Sequence, residues 1–359
     1  MLLHKDFLGG NIKVIEQNGD TFVLENELRD TAGDWFYWAF CVEGAKNRTV
    51  TFQFQKNRLG YWGPAVSYDL VNWHWLDSAE NNENGDAFTY HFSENENKVY
   101  FAHHMLYHPE RFLRFAKEHN LAVEQLCKGY KGSSIPCVTF GDGNQSVILT
   151  SRHHACESTG TYVLEGVLAE LIENPIPDTK VFCVPFVDYE GVIRGDQGKG
   201  RSPYDHNRGY SYDQESIYPE CEAIKEYAKS NGCHFAFDFH SPWHKWGEND
   251  TVFIVQNNTE QLDRFNTFGE LLEESITSAS LKYAHKNDYP PETGWNKGGS
   301  RFAKYMRKRE ENHLVFTLET TYFGTADNKV SADKMIELGR CFAMALQKYI
   351  KEGNANENA

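Results

Sequence analysis

His154 and Glu157, in the run His154-Ala155-Cys156-Glu157, are of the types that could hold a divalent cation together. An imidazole nitrogen and a carboxylate oxygen are both zinc ligands. Spacing alone decides little, because the chain has 15 histidines and a second His-x-x-Glu at His91 and Glu94. Setting separates the two. His91 leads into the polar turn NENK and reads as an exposed hairpin residue. His154 follows the apolar run QSVILTSRH and precedes a helical pattern. A ring at a strand end and a carboxylate in the turn after it can converge on one ion. His240 closes another apolar run, HFAFDFH, and would bring a third donor to the same sheet edge. Three protein ligands with one open position make a catalytic zinc site rather than a structural one. His244, four residues later, reads as a loop residue lining the cleft, and His153 as packed on the other side of its strand.

Hydrolysis at such a centre needs a base. Glu319 lies near the end of HLVFTLETT, where a carboxylate is costly unless paired or functional. The segment 188–210, DYEGVIRGDQGKGRSPYDHNRGY, is dense in Gly, Arg and Asp and reads as a long loop with no helix. Gly195, Gly198 and Gly200 beside Lys199 do not make a phosphate loop: the position five before Gly198 is Ile193, and no strand-to-helix turn follows. The loop can instead deliver Arg201, Asn207 and Arg208 to an anionic group, since guanidinium forks bind carboxylates in bidentate fashion. Asp205 can orient an imidazole at the metal from behind.

These residues need a scaffold. Before residue 105 the chain reads as β: WFYWAFCVEG, NRTVTFQFQ, PAVSYDLVNWHWL and NKVYFAHHM are separated by polar turns, which suggests a small antiparallel sandwich. Beyond it, helix patterns at 108–120, 158–174, 216–231, 259–275 and 331–353 alternate with apolar runs at 135–141, 145–153, 180–188, 234–240, 250–256 and 313–321. Continuous apolar strands between helices indicate an α/β sheet covered on both faces, with ligands beyond the carboxyl ends of its strands. The expected division is 1–105 for the β-sandwich and 106–353 for the α/β domain, with a disordered tail at 354–359.

Composition narrows the partners. Lys+Arg is 36 against Asp+Glu 51, a formal charge of −15, which disfavours nucleic acid and anionic membranes. No run approaches a membrane span, and the first twenty residues lack the apolar stretch of a secretory signal. Eight cysteines form no CxxC pair and suit small buried residues in a reducing compartment, so a cytoplasmic location is expected.

His154-Ala155-Cys156-Glu157, Asp205-His206-Asn207-Arg208, His240, Gly298-Gly299-Ser300 and Glu319 occur in the order seen in the M14 zinc carboxypeptidases, which the chain resembles over about residues 105–350. With a β-rich segment in front, it looks like the cytosolic carboxypeptidase branch and its bacterial relatives. The resemblance implies a mixed sheet flanked by helices and one zinc ion held by His154, Glu157 and His240. It implies that Glu319 is the general base for the zinc-bound water and that Arg201 stabilises the oxyanion, with Arg194 and Lys199 as rivals. Asn207 and Arg208 would hold the substrate's terminal carboxylate, and Asp205 would stand behind a zinc ligand. The tyrosine that caps the substrate in pancreatic-type members has no match here; its place falls at Gly294, beside Trp295. The residue after Gly298-Gly299-Ser300 forms the pocket floor in this family, and Arg301 there would favour an acidic residue such as Glu at a peptide or protein C-terminus or on a side-chain branch.

The expected function is therefore a zinc metallocarboxypeptidase, a protease of the hydrolase class. The alternatives are a zinc amidohydrolase acting on N-acyl amino acids or cell-wall peptides, and an inert binding module.

Overall fold

A computed structural model of the protein describes residues 1–76, 85–297, 301–309 and 311–357. Its central sheet has seven strands in the order Val123–Lys128, Ser134–Phe140, Thr179–Val184, Gln145–Ser151, Phe235–His240, Leu314–Glu319 and Phe253–Val255. The strand Gln145–Ser151 is parallel to both its neighbours, and Phe235–His240 is parallel to Leu314–Glu319. The outer pairings are antiparallel, so the sheet is mixed.

Helices cover both faces, which is why the inner strands are apolar at successive positions. On one face, Leu149, Phe237 and Phe316 pack under the helices Ser158–Glu173, Leu262–Ser275 and Ala332–Glu357. On the other, Ile148, Ala236 and Val315 meet Pro219–Asn231 and Arg301–Arg307. The helices Ser158–Glu173 and Ala332–Glu357 cross in near backbone contact. A Cβ on Gly166 would lie 1.9 Å from the Ile336 carbonyl oxygen, and one on Gly339 at 1.9 Å from that of Val163. Larger residues at either place would force the pair apart.

The N-terminal part is a sandwich of a five-stranded and a four-stranded sheet. One pairing departs from the antiparallel expectation: Thr21–Glu25 runs parallel to Thr49–Phe54. The five-stranded sheet is buried on both sides through its period of two. Phe40, Val42, Val99 and Phe101 face the sandwich interior. Ala39, Cys41, Tyr100 and Ala102 face the α/β part and share one core with it. The sandwich is therefore welded to the central sheet along an apolar face.

Two elements differ from the sequence reading. The segment 188–210 contains the helix Tyr189–Arg194, started by the Asp188 carboxylate accepting from the Gly191 amide and stopped by Gly195 at φ 72. The last helix continues to Glu357 rather than ending near 353. Among the described residues, no helix is long and apolar enough to cross a membrane, and all eight cysteines are free thiols.

Candidate metal centre and active site

Three parallel strands, Gln145–Ser151, Phe235–His240 and Leu314–Glu319, end at one edge of the sheet. Their carboxyl ends carry His154 with Glu157, His240, and Glu319. All four line one cavity of about 680 Å³. His154 Nδ1 lies 2.9 Å from Glu157 Oε1, and His240 Nδ1 lies 2.7 Å from Glu157 Oε2. These donor atoms lie within 4.8 Å of one another. Glu157 is 1% exposed, yet its Oε2 has no hydrogen-bond partner of good geometry. Two imidazole nitrogens and a buried, under-satisfied carboxylate suit a divalent ion of borderline softness.

Each histidine is backed by a carboxylate. His154 Nε2 faces Asp205 Oδ2 at 3.8 Å. His240 Nε2 is hydrogen-bonded to Asp238, a residue given no role from the sequence. The signal was present: Asp238 sits in FAFDFH, and a charge inside an apolar strand asks for the same explanation as Glu319.

Glu319 is Cα-paired with His240 across the parallel ladder. Burial raises its carboxyl, and Glu157 adds to the rise while His240, Lys199 and His154 oppose it, leaving it pushed up to about 7. Burial works on Glu157 in the same direction, but there the charges of His154, Lys199 and His240 win and hold it well below the usual carboxylate range. The two buried glutamates are thus driven apart, one firmly ionised and one poised to exchange a proton near neutrality.

Lys199 is a cation paired directly with this centre. It is 7% exposed, its Nζ lies 2.5 Å from Glu157 Oε1, and it sits over the Trp35 ring at 4.9 Å. Gly198 brings it there: at φ 79, its missing Cβ would stand 2.1 Å from the Ala155 amide nitrogen, so the loop presses directly on the metal motif. Arg201, expected at the oxyanion, is elsewhere. Its guanidinium is held by Asp188 at 2.7 Å, Asp30 at 3.0 Å and Asp196 at 3.3 Å, and it does not line the cavity. Arg194 is half exposed beside Asp196.

Asn207 and Arg208, on a 3-10 turn, line the cavity. Gly298, Gly299 and Ser300 lie outside the described residues, as does the side chain of Arg301, whose backbone opens the helix Arg301–Arg307. His244 is not on the cavity wall as expected. It is buried with its ring stacked on Phe36 at 4.8 Å. His153 is fully buried, as read from the strand alternation. His91 is exposed at the end of its strand. Trp295, stacked on Tyr289, and Trp35 and Trp243 complete the walls. Trp35 belongs to the sandwich half, so both halves build the site.

The fold has relatives among solved structures. A metallo-carboxypeptidase from Burkholderia cenocepacia superposes with a TM-score of 0.78 over 98% of this chain and 99% of its own, at 18% identity. The chain has the metallo-carboxypeptidase fold. A metallo-carboxypeptidase from Pseudomonas aeruginosa, solved in complex with (2-guanidinoethylmercapto)succinic acid, gives 0.76 over 98% of this chain and all of its own, at 21% identity. Residues 3–104 match the N-terminal domain of cytosolic carboxypeptidases. An uncharacterised protein of Zymomonas mobilis is 27% identical over 253 residues, which is 65% of this chain and 66% of the relative. Cytosolic carboxypeptidase 2 of Xenopus tropicalis is 25% identical over 156 residues, 37% of this chain and 16% of that protein. The matches thus span less than two thirds of either curated relative.

Proposed function

We propose that the protein is a zinc metallocarboxypeptidase of the cytoplasm that removes an acidic residue such as Glu from a peptide C-terminus or a side-chain branch. The observation that carries this is the convergence of His154, Glu157 and His240 on one cavity wall with Glu319 beside them. Free thiols throughout the chain support the location.

His154, Glu157 and His240 would hold the ion. A zinc ion there supplies Lewis acidity and brings the pKa of water toward neutrality. The other work falls to the chain. Asn207 and Arg208 take the substrate's free carboxylate, which confines cleavage to the last residue. Glu319 accepts a proton from the attacking water, whose oxygen bonds to the scissile carbonyl carbon. As the C–N bond breaks, Glu319 returns that proton to the leaving amine. Lys199 would stabilise negative charge building on the carbonyl oxygen in place of Arg201, a reading supported by its position on the cavity wall. Arg301 supplies the charge that selects an acidic side chain.

The test is a panel of peptides ending in Glu, Lys or Phe, set against N-acyl amino acids, with products read by mass spectrometry. The expected result is loss of one C-terminal residue, fastest for Glu. Cleavage of N-acyl amino acids with every free-carboxylate peptide left intact would overturn the exopeptidase reading.

A further inference from the structure

Tyr210, His153 and Asp238 take no part in the chemistry above, yet they form one buried chain that ends on a proposed metal ligand. Asp238 Oδ1 accepts from Thr150 Oγ1 at 2.9 Å and is paired with His153 Nδ1 at 2.8 Å. Asp238 Oδ2 is paired with His240 Nε2. The far nitrogen of His153, Nε2, is 2.7 Å from the Tyr210 hydroxyl. None of these residues is more than 4% exposed, so water does not compete for the bonds.

The donor roles in this chain follow from chemistry. An ionised carboxylate only accepts. Both imidazoles must then present N–H to Asp238. His240 would then carry its proton on Nε2 and, with the ion bound, have the lone pair of Nδ1 to offer to it. His153 donates from Nδ1, so its Nε2 accepts from the Tyr210 hydroxyl. The rings of His153 and His240 lie 3° from parallel at 5.8 Å, which lets one carboxylate bridge them edge-on. His154, by contrast, is backed by Asp205 only at 3.8 Å.

We propose that Tyr210, His153 and Asp238 are positioning residues: they lock the tautomer and ring orientation of His240 and so set how tightly the centre holds its ion. This rests on the metal-centre reading above. Outer carboxylate and hydroxyl partners of this kind typically change metal affinity about 10–100-fold when removed. One competing arrangement exists, because His153, Asp238 and His240 also place three donor atoms within 4.8 Å. Both nitrogens of His153 are already engaged, and neither His153 nor Asp238 lines the cavity, which argues for support rather than ligation.

The experiment uses the full chain carrying Asp238→Asn, His153→Gln or Tyr210→Phe. Zinc affinity is read by competition with a chromophoric chelator, the cobalt-substituted protein by its visible spectrum, and apo stability by melting. Asp238→Asn should bind zinc about 10–100-fold more weakly and shift the cobalt bands. Tyr210→Phe should move both in the same direction by less. At saturating zinc, KM for peptide should stay while kcat falls. Zinc affinity within about twofold of wild type in Asp238→Asn, with an unchanged cobalt spectrum, would overturn the proposal. If Asp238→Asn does not fold, His153→Gln and Tyr210→Phe decide it by the same readouts. Zinc that survives the double variant His154→Ala, Glu157→Ala but is lost in Asp238→Asn would make Asp238 a ligand and also overturn it. Unaltered zinc binding in His240→Ala would instead refute the metal centre itself, and the positioning role with it.

Discussion

His240 and Glu319 stand opposite each other in a parallel strand pair. A proposed ligand and the proposed base thus hang from one hydrogen-bonded ladder, with strands about 4.8 Å apart. Their spacing belongs to the core of the sheet and not to a mobile loop. A slip of one residue in this pairing would turn one of them to the other face.

Glu319→Gln tests the base. The amide has the same shape and cannot take up a proton. Zinc content should stay at the wild-type level while kcat falls about 10²–10⁴-fold. Turnover within about tenfold of wild type would place the base elsewhere.

Lys199 and Arg201 should separate by phenotype. Lys199→Met removes the cation at the cavity wall, so kcat should drop even at saturating zinc, where the ion offsets the charge of Glu157 that Lys199 otherwise pairs. Arg201→Met leaves Asp30, Asp188 and Asp196 without their shared partner and should cost about 3–5 kcal/mol of stability. The reverse pattern would return the oxyanion role to Arg201.

The sandwich should matter for catalysis also through Asp30, which does not line the cavity. Asp30 accepts from the Gln197 amide at 3.0 Å, the Gly198 amide at 2.8 Å and Arg201 Nε at 3.0 Å, so it shapes the loop that carries Lys199. Asp30→Ala should cost about 1–3 kcal/mol and lower kcat. Residues 106–359 expressed alone should aggregate or unfold, because they expose the face that Ala39, Cys41 and Ala102 cover. A soluble, active fragment would contradict this.

Arg301→Asp should move preference from peptides ending in Glu toward those ending in Lys, read as a change in relative kcat/KM. An unchanged order would remove Arg301 from the pocket.

What the amino-acid sequence revealed and what it hid have physical causes. His154, His240 and Glu319 each close an apolar run, and an ionisable group there is conspicuous. Their runs became adjacent parallel strands with one common edge. The choice between Arg201 and Lys199 was hidden, because Asp30 lies 171 residues from Arg201 and a tertiary ion pair leaves no local trace. Asp238 carries the same signal as Glu319, a charge inside an apolar strand, but its partner His153 lies 85 residues away and leaves no local trace. The helix Tyr189–Arg194 was masked by Gly191 within it and by Gly195, which here caps it, and the parallel pair in the sandwich depends on long-range register that alternation does not encode.

Zinc analysis of the purified protein and its ligand variants tests the central claim most directly. One zinc per chain is expected at neutral pH, lost in His240→Ala and in Glu157→Ala and retained in Glu319→Gln. At a free concentration of 100 times Kd, the ion should add about 2.7 kcal/mol to stability. A folded wild-type chain that takes up no zinc, or one whose zinc is indifferent to His240 and Glu157, would contradict it.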